Sequence, residues 1–244
     1  DQIGRLTKAL DHYDPAIRAG AARVIARIKV TETADALIKA VNDSQADVRY
    51  SAMRALGAIG DQRAITALTE QFTYYKKGEG AWSALEALAR LGSTASVPLF
   101  RERVNDKDAF IPRAAIEGLG RAADAESADA LERVAGTDES PMVRLAAIFA
   151  LQKLGRNFAA RIVDLMSCER VIGQAQEYLV ELGPSMAPTL LPRLQEPDAN
   201  VREAVADVLG AIGDASAVSA LEAATKDRDP SVASAAKRAL ARLR

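Results

Sequence analysis

The residue types best suited to catalysis stand alone in this chain. His12 is its one histidine and Cys168 its one cysteine. A Ser-His-Asp or Cys-His relay would therefore have to recruit His12 from the loop before Asp14, and no His, Cys and carboxylate cluster has metal-ligand spacing. The scattered carboxylates identify no catalytic pair. Cys168 aligns with Ser140 at the expected cap of a helix, where amide groups favour a thiolate. Glu169 opposes that effect, Arg170 assists it, and no base stands beside the thiol, so a capping or packing role is expected. The sequence thus predicts neither a catalytic residue, a cofactor nor a metal. A single cysteine makes no internal disulfide, which agrees with a reducing, cytoplasmic location.

What the side chains suggest instead is binding, and a repeat positions them. A run such as Val48-Arg49-Tyr50-Ser51-Ala52-Met53-Arg54-Ala55-Leu56-Gly57-Ala58-Ile59-Gly60 returns eight times. The position of Arg49 reads Arg18, Arg49, Ala81, Pro112, Arg144, Ile172, Arg202 and Ala233, at steps of 31, 32, 31, 32, 28, 30 and 31. The position of Ile59 reads Ile28, Ile59, Leu91, Ala122, Leu154, Leu182, Ile212 and Leu243, an independent register. Such a period is the mark of a solenoid, in which each copy buries its apolar face on its neighbours, so residues 1–244 are expected to form one domain. With 49% hydrophobic but only 5% aromatic residues, small side chains must supply the close packing.

Each copy reads as two antiparallel helices, illustrated by Ala34 to Val41 and Ala46 to Ile59. In the second helix Val48, Ala52, Ala55, Leu56 and Ile59 form a buried stripe, and Asp47, Tyr50, Ser51, Arg54 and Ala58 form the opposite one. Asp14-Pro15, Ser140-Pro141 and Asp229-Pro230 place a capping side chain before a proline at the first helical position. Gly60, Gly92, Gly155, Gly183 and Gly213 stand where a left-handed residue ends a helix, and Asp61 and Asp214 can open the next one.

The stretches Asp14-Pro15-Ala16-Ile17-Arg18 and Ala55-Leu56-Gly57-Ala58-Ile59-Gly60-Asp61 resemble the HEAT repeat in its short bacterial, phycobilisome-lyase-like form. The resemblance implies an all-α, right-handed α-solenoid of about eight HEAT-like helical hairpins, with the second helices lining a concave groove. Copies three, four and six depart from it, since Ala81, Pro112 and Ile172 replace the arginine.

On that assumption the groove contents follow. Copies one to four contribute Arg23, Arg27, Tyr50, Arg54, Trp82, Glu86, Arg90, Phe110, Arg113, Glu117 and Arg121. Copy five offers Met142, Leu145, Phe149 and Lys153, three large apolar side chains where a solvated face carries polar ones. Glu177, Glu181, Glu203 and Asp207 then turn the surface acidic before Arg238 and Arg242. Aromatic, Met and Arg side chains are enriched at interface cores, so the expected partner is a protein or peptide segment with apolar anchors, basic toward the acidic end. The opposing expectation is that Trp82, Phe110 or Phe149 tips inward to fill gaps between helices.

Two other functions compete with this scaffold. Bilin lyases and related chromophore-handling proteins carry similar repeats, and Arg90, Arg113 and Arg121 could pair with tetrapyrrole propionates while Trp82 and Phe149 stack on the ring. A HEAT family that holds iron through paired His-Glu motifs would need several histidines. DNA binding in a cationic groove is disfavoured because Glu86 and Glu117 interrupt the cations and the net charge is −1. No apolar run spans a bilayer, and residues 1–5 lack the start of a signal peptide. The absent initial methionine and the stop at Arg244 fit a trimmed domain or processed product. A monomer is expected. The irregular segment Gln71 to Gly80 reads either as a flap over the groove or as an extended outer helix ending in a loop.

Overall fold

The computed structural model describes residues 2–108 and 110–243; Asp1 and Arg244, which carry the reading of the chain ends, lie outside the described residues. The fold is all-α, with sixteen α-helices and no strand among the described residues. The helices pair into eight hairpins, as the period requires, and fall into two compact units, 1–129 and 130–244.

The first unit contains α1 (Gln2–Leu10), α2 (Pro15–Ile28), α3 (Ala34–Ala40), α4 (Ala46–Ile59), α5 (Ile65–Tyr75), α6 (Gly78–Leu91), α7 (Val97–Arg103) and α8 (Phe110–Arg121). Its even-numbered helices are the second helices of their copies and pack side by side, α2 on α4, α4 on α6 and α6 on α8. Close stacking depends on small residues. A Cβ added to Gly57 would come within 2.8 Å of the Ala87 Cα, so α4 and α6 approach at a distance only glycine permits. Val48, Ala52, Ala55 and Leu56 are fully buried and Ile59 nearly so.

The second unit comprises most of α9 (Ala128–Thr137), then α10 (Pro141–Lys153), α11 (Ala159–Asp164), α12 (Ile172–Leu182), α13 (Ala187–Leu190), α14 (Ala199–Ile212), α15 (Val218–Ala224) and α16 (Pro230–Leu243). Of its first helices α11 and α13 are short, with six and four residues, and α13 has a proline at its start with another in the 3-10 turn that follows, where each proline removes a backbone donor. Gly210 repeats the close approach, its would-be Cβ lying 2.5 Å from the Ala239 Cα.

Punctuation follows the sequence. Asp14, Ser140 and Asp229 accept amide hydrogens of the helices they precede, and Gly60, Gly92, Gly155, Gly183 and Gly213 all have positive φ. The recurring arginine joins adjacent copies. Arg18 forks onto Asp43 at 2.7 and 2.8 Å while its Nη1 donates to the His12 and Tyr13 carbonyls. Arg202 repeats this arrangement with Asp227, at 2.8 Å for both bonds, and with the carbonyls of Glu196 and Pro197. Arg49 uses the Tyr75 hydroxyl as its forward partner. Hydrogen bonds from the guanidinium hold the Asp43 and Asp227 carboxyls below the ordinary carboxylate range.

The segment from Gln71 to Gly80 takes the second of its two expected forms: α5 extends to Tyr75, only Lys76 and Lys77 intervene, and residues 78–80 already belong to α6. The Tyr75 ring covers Gly80, meets Tyr50 edge-on at 5.7 Å, and is held by Arg49, so it is a packed corner. Cys168 is not the cap of α12: it ends a 3-10 turn four residues before Ile172, and the cap position belongs to Val171. The step of 28 residues into copy six shortens the lead-in and displaces the aligned cap.

Candidate functional site

In the first unit the exposed stripe of the second helices runs along α4, α6 and α8. Phe110 begins α8 and is 52% exposed. Its ring lies on Trp82 of α6, with centroids 4.5 Å apart and planes tilted by 36°. The half-buried Trp82 is fixed by its indole Nε1–H, which donates to Asp108 Oδ2 at 2.7 Å, while Asp108 Oδ1 accepts the Phe110 amide at 3.1 Å. One carboxylate thus holds both members of the aromatic pair, and an otherwise mobile surface phenylalanine is seated in advance. Sequence reasoning missed Asp108. The signal was present in the repeat register, since Asp108 stands four residues before Pro112 as the capping Asp14 stands before Arg18.

Beside this pair, Tyr50 is half-buried and linked to Tyr75. Burial, followed by the neighbouring Tyr75, raises the Tyr50 phenol above its usual range. Arg54 and Arg90 are the open cations, each with 46% of its side chain exposed. They face a depression of about 250 Å³ between α4 and α6, whose other lining residues are Ala58, Glu86 and Ala87. Arg54 stands 3.5 Å from Glu79 and Arg90 3.5 Å from Glu86.

Arg113 has a different setting. It donates to Glu117 Oε1 at 2.6 Å, and Arg121 donates to Glu117 Oε2 at 3.0 Å. Glu117 is only 2% exposed, and a buried carboxylate persists only when its charge is matched. Arg113 also lies 3.8 Å from Glu86, so these side chains form a rigid wall of the stripe.

The second unit corrects the predicted apolar centre. Leu145 and Phe149 are fully buried, and the Phe149 ring stacks on buried Tyr178 of α12 at 4.2 Å. The reason lies in α10, which is apolar nearly all the way round; such a helix buries both stripes rather than exposing one. Met142 is half-buried, whereas Lys153, Glu177 and Glu181 are exposed. Lys153 stands 3.7 Å from Glu181, and Gln174 donates to Glu177. Glu203 and Asp207 flank Arg238, at 3.8 and 3.0 Å.

His12 belongs to a turn, where its Nδ1 accepts the Asp14 amide at 3.0 Å. Among the described residues no three His, Cys, Asp or Glu side chains come together as a metal site, and no helix is long and apolar enough to cross a membrane.

Comparison with known proteins bears on the fold. No curated protein matches the chain. Among solved structures, the complex of CpcE and CpcF of phycocyanin lyase from Nostoc sp. PCC7120 is similar over 98% of this chain and 85% of that chain, with 21% identity and a TM-score of 0.57. Human deoxyhypusine hydroxylase in complex with glycerol is 18% identical over 99% of this chain and 96% of its own, with a TM-score of 0.47. YibA of E. coli is 19% identical over 98% and 92%, with a TM-score of 0.46. At 21% identity the likeness to the first of these concerns the fold alone. The family model for HEAT repeats matches residues 3–75, 77–152 and 167–244, nearly the whole length. The matched spans, the thirty-one-residue period and the stacked hairpins agree, and the chain belongs to the HEAT-repeat family.

Proposed function

We propose that this protein is a non-catalytic interaction scaffold whose first unit receives a partner segment on the exposed stripe of α4, α6 and α8. The observation that carries the reading is Phe110, a large aromatic half open to solvent yet already seated on Trp82 through Asp108. A fixed aromatic loses little conformational freedom on binding, which is why such residues dominate interface energetics. Arg54 and Arg90 add charge-assisted donors beside it. The partner is a protein or peptide segment that sets an apolar side chain on Phe110 and acceptors near the two arginines.

The tetrapyrrole alternative loses much of its support, because Arg113 and Arg121 already hold the buried Glu117 and Phe149 is sealed under Tyr178. A duplex-binding surface is likewise disfavoured by Glu79, Glu86 and Glu117 among the cations. To test the scaffold, a partner captured by the wild-type protein is titrated against the Phe110→Ala variant. Weakening of about thirtyfold or more is expected of an anchor worth about 2 kcal/mol. Unchanged affinity removes Phe110 as an anchor and the proposed site with it.

A further inference from the structure

Four copies keep the arginine of the Arg49 position, and all four anchor it in the same way. Nη1 donates back to two carbonyls of the turn that precedes the helix: His12 and Tyr13 for Arg18, Asp43 and Ser44 for Arg49. Arg144 uses Asp138 and Glu139, and Arg202 uses Glu196 and Pro197. The shorter bond of each pair is 2.7 or 2.8 Å. One corner of the planar guanidinium is thereby fixed, and its Nε and Nη2 edge is left for an acceptor from the next copy.

That acceptor comes from the residue six places before the next Arg49 position. Asp43 supplies it to Arg18, Tyr75 to Arg49 and Asp227 to Arg202. Copy six breaks the rule, because its residue at this place is Met166, which is 1% exposed and has no side-chain oxygen. Arg144 makes no further hydrogen bond or ion pair among the described residues. It is half-buried, and its Nε and Nη2 remain open to solvent. By spacing the chain's own candidate is Glu169, 25 residues after Arg144 as Asp43 is after Arg18. The short step into copy six puts it three residues before the Ile172 position instead of six, and it lines a depression between α12 and α14 with Gln176, Asn200 and Glu203.

The chemistry of the acceptor is set by the equivalent corners. In two of them it is a carboxylate held by both Nε and Nη2. Nearby acidic residues do not prevent this: Arg202 takes Asp227 although Glu196 and Asp198 belong to its own turn, as Asp138 and Glu139 do to that of Arg144. We propose that the Arg144 edge receives a carboxylate side chain of a protein partner, through the two-bond fork that Arg18 and Arg202 make within the chain. The guanidinium is positioned before the partner arrives, so the fork fixes the partner's register on the second unit at little cost in side-chain freedom. The site is independent of Phe110.

The test uses residues 41–45 of this chain, Val41-Asn42-Asp43-Ser44-Gln45, as a free peptide blocked at both ends, so that the aspartate is its one charge. Nitrogen-15 spectra of the whole protein follow the Nε–Hε signals of Arg18, Arg144 and Arg202. The Arg144 signal is expected to move with an apparent affinity at least about tenfold above that for the asparagine analogue of the peptide, while the Arg18 and Arg202 signals, already forked, stay in place. Arg144→Lys keeps the charge and loses the fork, so it should weaken peptide binding by about tenfold or more with circular dichroism unchanged. Phe110→Ala should leave it intact. An equal response to the asparagine analogue, or an Arg144 signal that does not move, overturns the inference. So does saturation by acetate or inorganic phosphate at a lower concentration than the peptide, which would make the site one for small anions. A gain of about tenfold in peptide affinity on Glu169→Gln also overturns it, because Glu169 would then occupy the edge in solution.

Discussion

Replacing Phe149 by alanine separates an anchor from a core residue. Its ring is fully buried and stacked on Tyr178, itself only 1% exposed, at a centroid distance of 4.2 Å. Truncation removes the transfer free energy of a whole aromatic side chain and leaves a cavity between α10 and α12, which costs about 3–5 kcal/mol. Phe110, 52% exposed, has only about half of its surface to lose, so Phe110→Ala should cost about 1 kcal/mol. With a urea m value of about 2 kcal/mol/M, the first substitution lowers the unfolding midpoint by about 1.5–2.5 M and the second by about 0.5 M. Urea titrations of both variants, followed by helical circular dichroism, read the difference directly. Equal midpoints for the two variants, or a Phe149→Ala protein of unaltered stability, would refute the reasoning and return Phe149 to the surface.

Asp227→Asn tests the ladder through its pH dependence. The Arg202 hydrogen bonds depress the Asp227 carboxyl in the folded protein, so its stabilisation is present above the unfolded carboxylate value of about 3.9 and is lost as pH falls through the lower folded value. The stability gap between wild type and variant should therefore be widest near neutrality and narrow below about pH 4; a gap constant with pH in denaturant titrations contradicts the ladder. Two glycine substitutions should have opposite signs in thermal melts. Gly57→Ala gains about 1 kcal/mol of helix propensity but forces its Cβ to 2.8 Å from the Ala87 Cα, a clash costing about 1–3 kcal/mol, so it destabilises. A Cβ at Gly136 meets nothing within 4 Å, so Gly136→Ala stabilises by about 0.5 kcal/mol near its helix end; a higher melting temperature for Gly57→Ala would negate the close approach of α4 and α6.

Local physics was readable wherever one residue acts within its own turn of chain. Asp14, Ser140 and Asp229 announce helix starts because a cap needs only its own side chain and the next amides. Gly60 and Gly213 announce ends because a left-handed backbone is a property of one residue. Cys168 went astray because alignment by period presumes a constant lead-in, and copy six is three residues shorter than a regular one.

The sequence alone determined the eight-copy architecture, since a stripe repeated every thirty-one residues can be buried only by stacking identical hairpins. It did not determine which side chains stay open. Trp82, Phe110 and Phe149 were all expected on the same open stripe, yet Phe149 lies under Tyr178, Trp82 is tied to Asp108, and Phe110 remains exposed. Exposure depends on what the neighbouring copy sets across the helix, and only the tertiary structure brings that side chain, some thirty residues away, into contact.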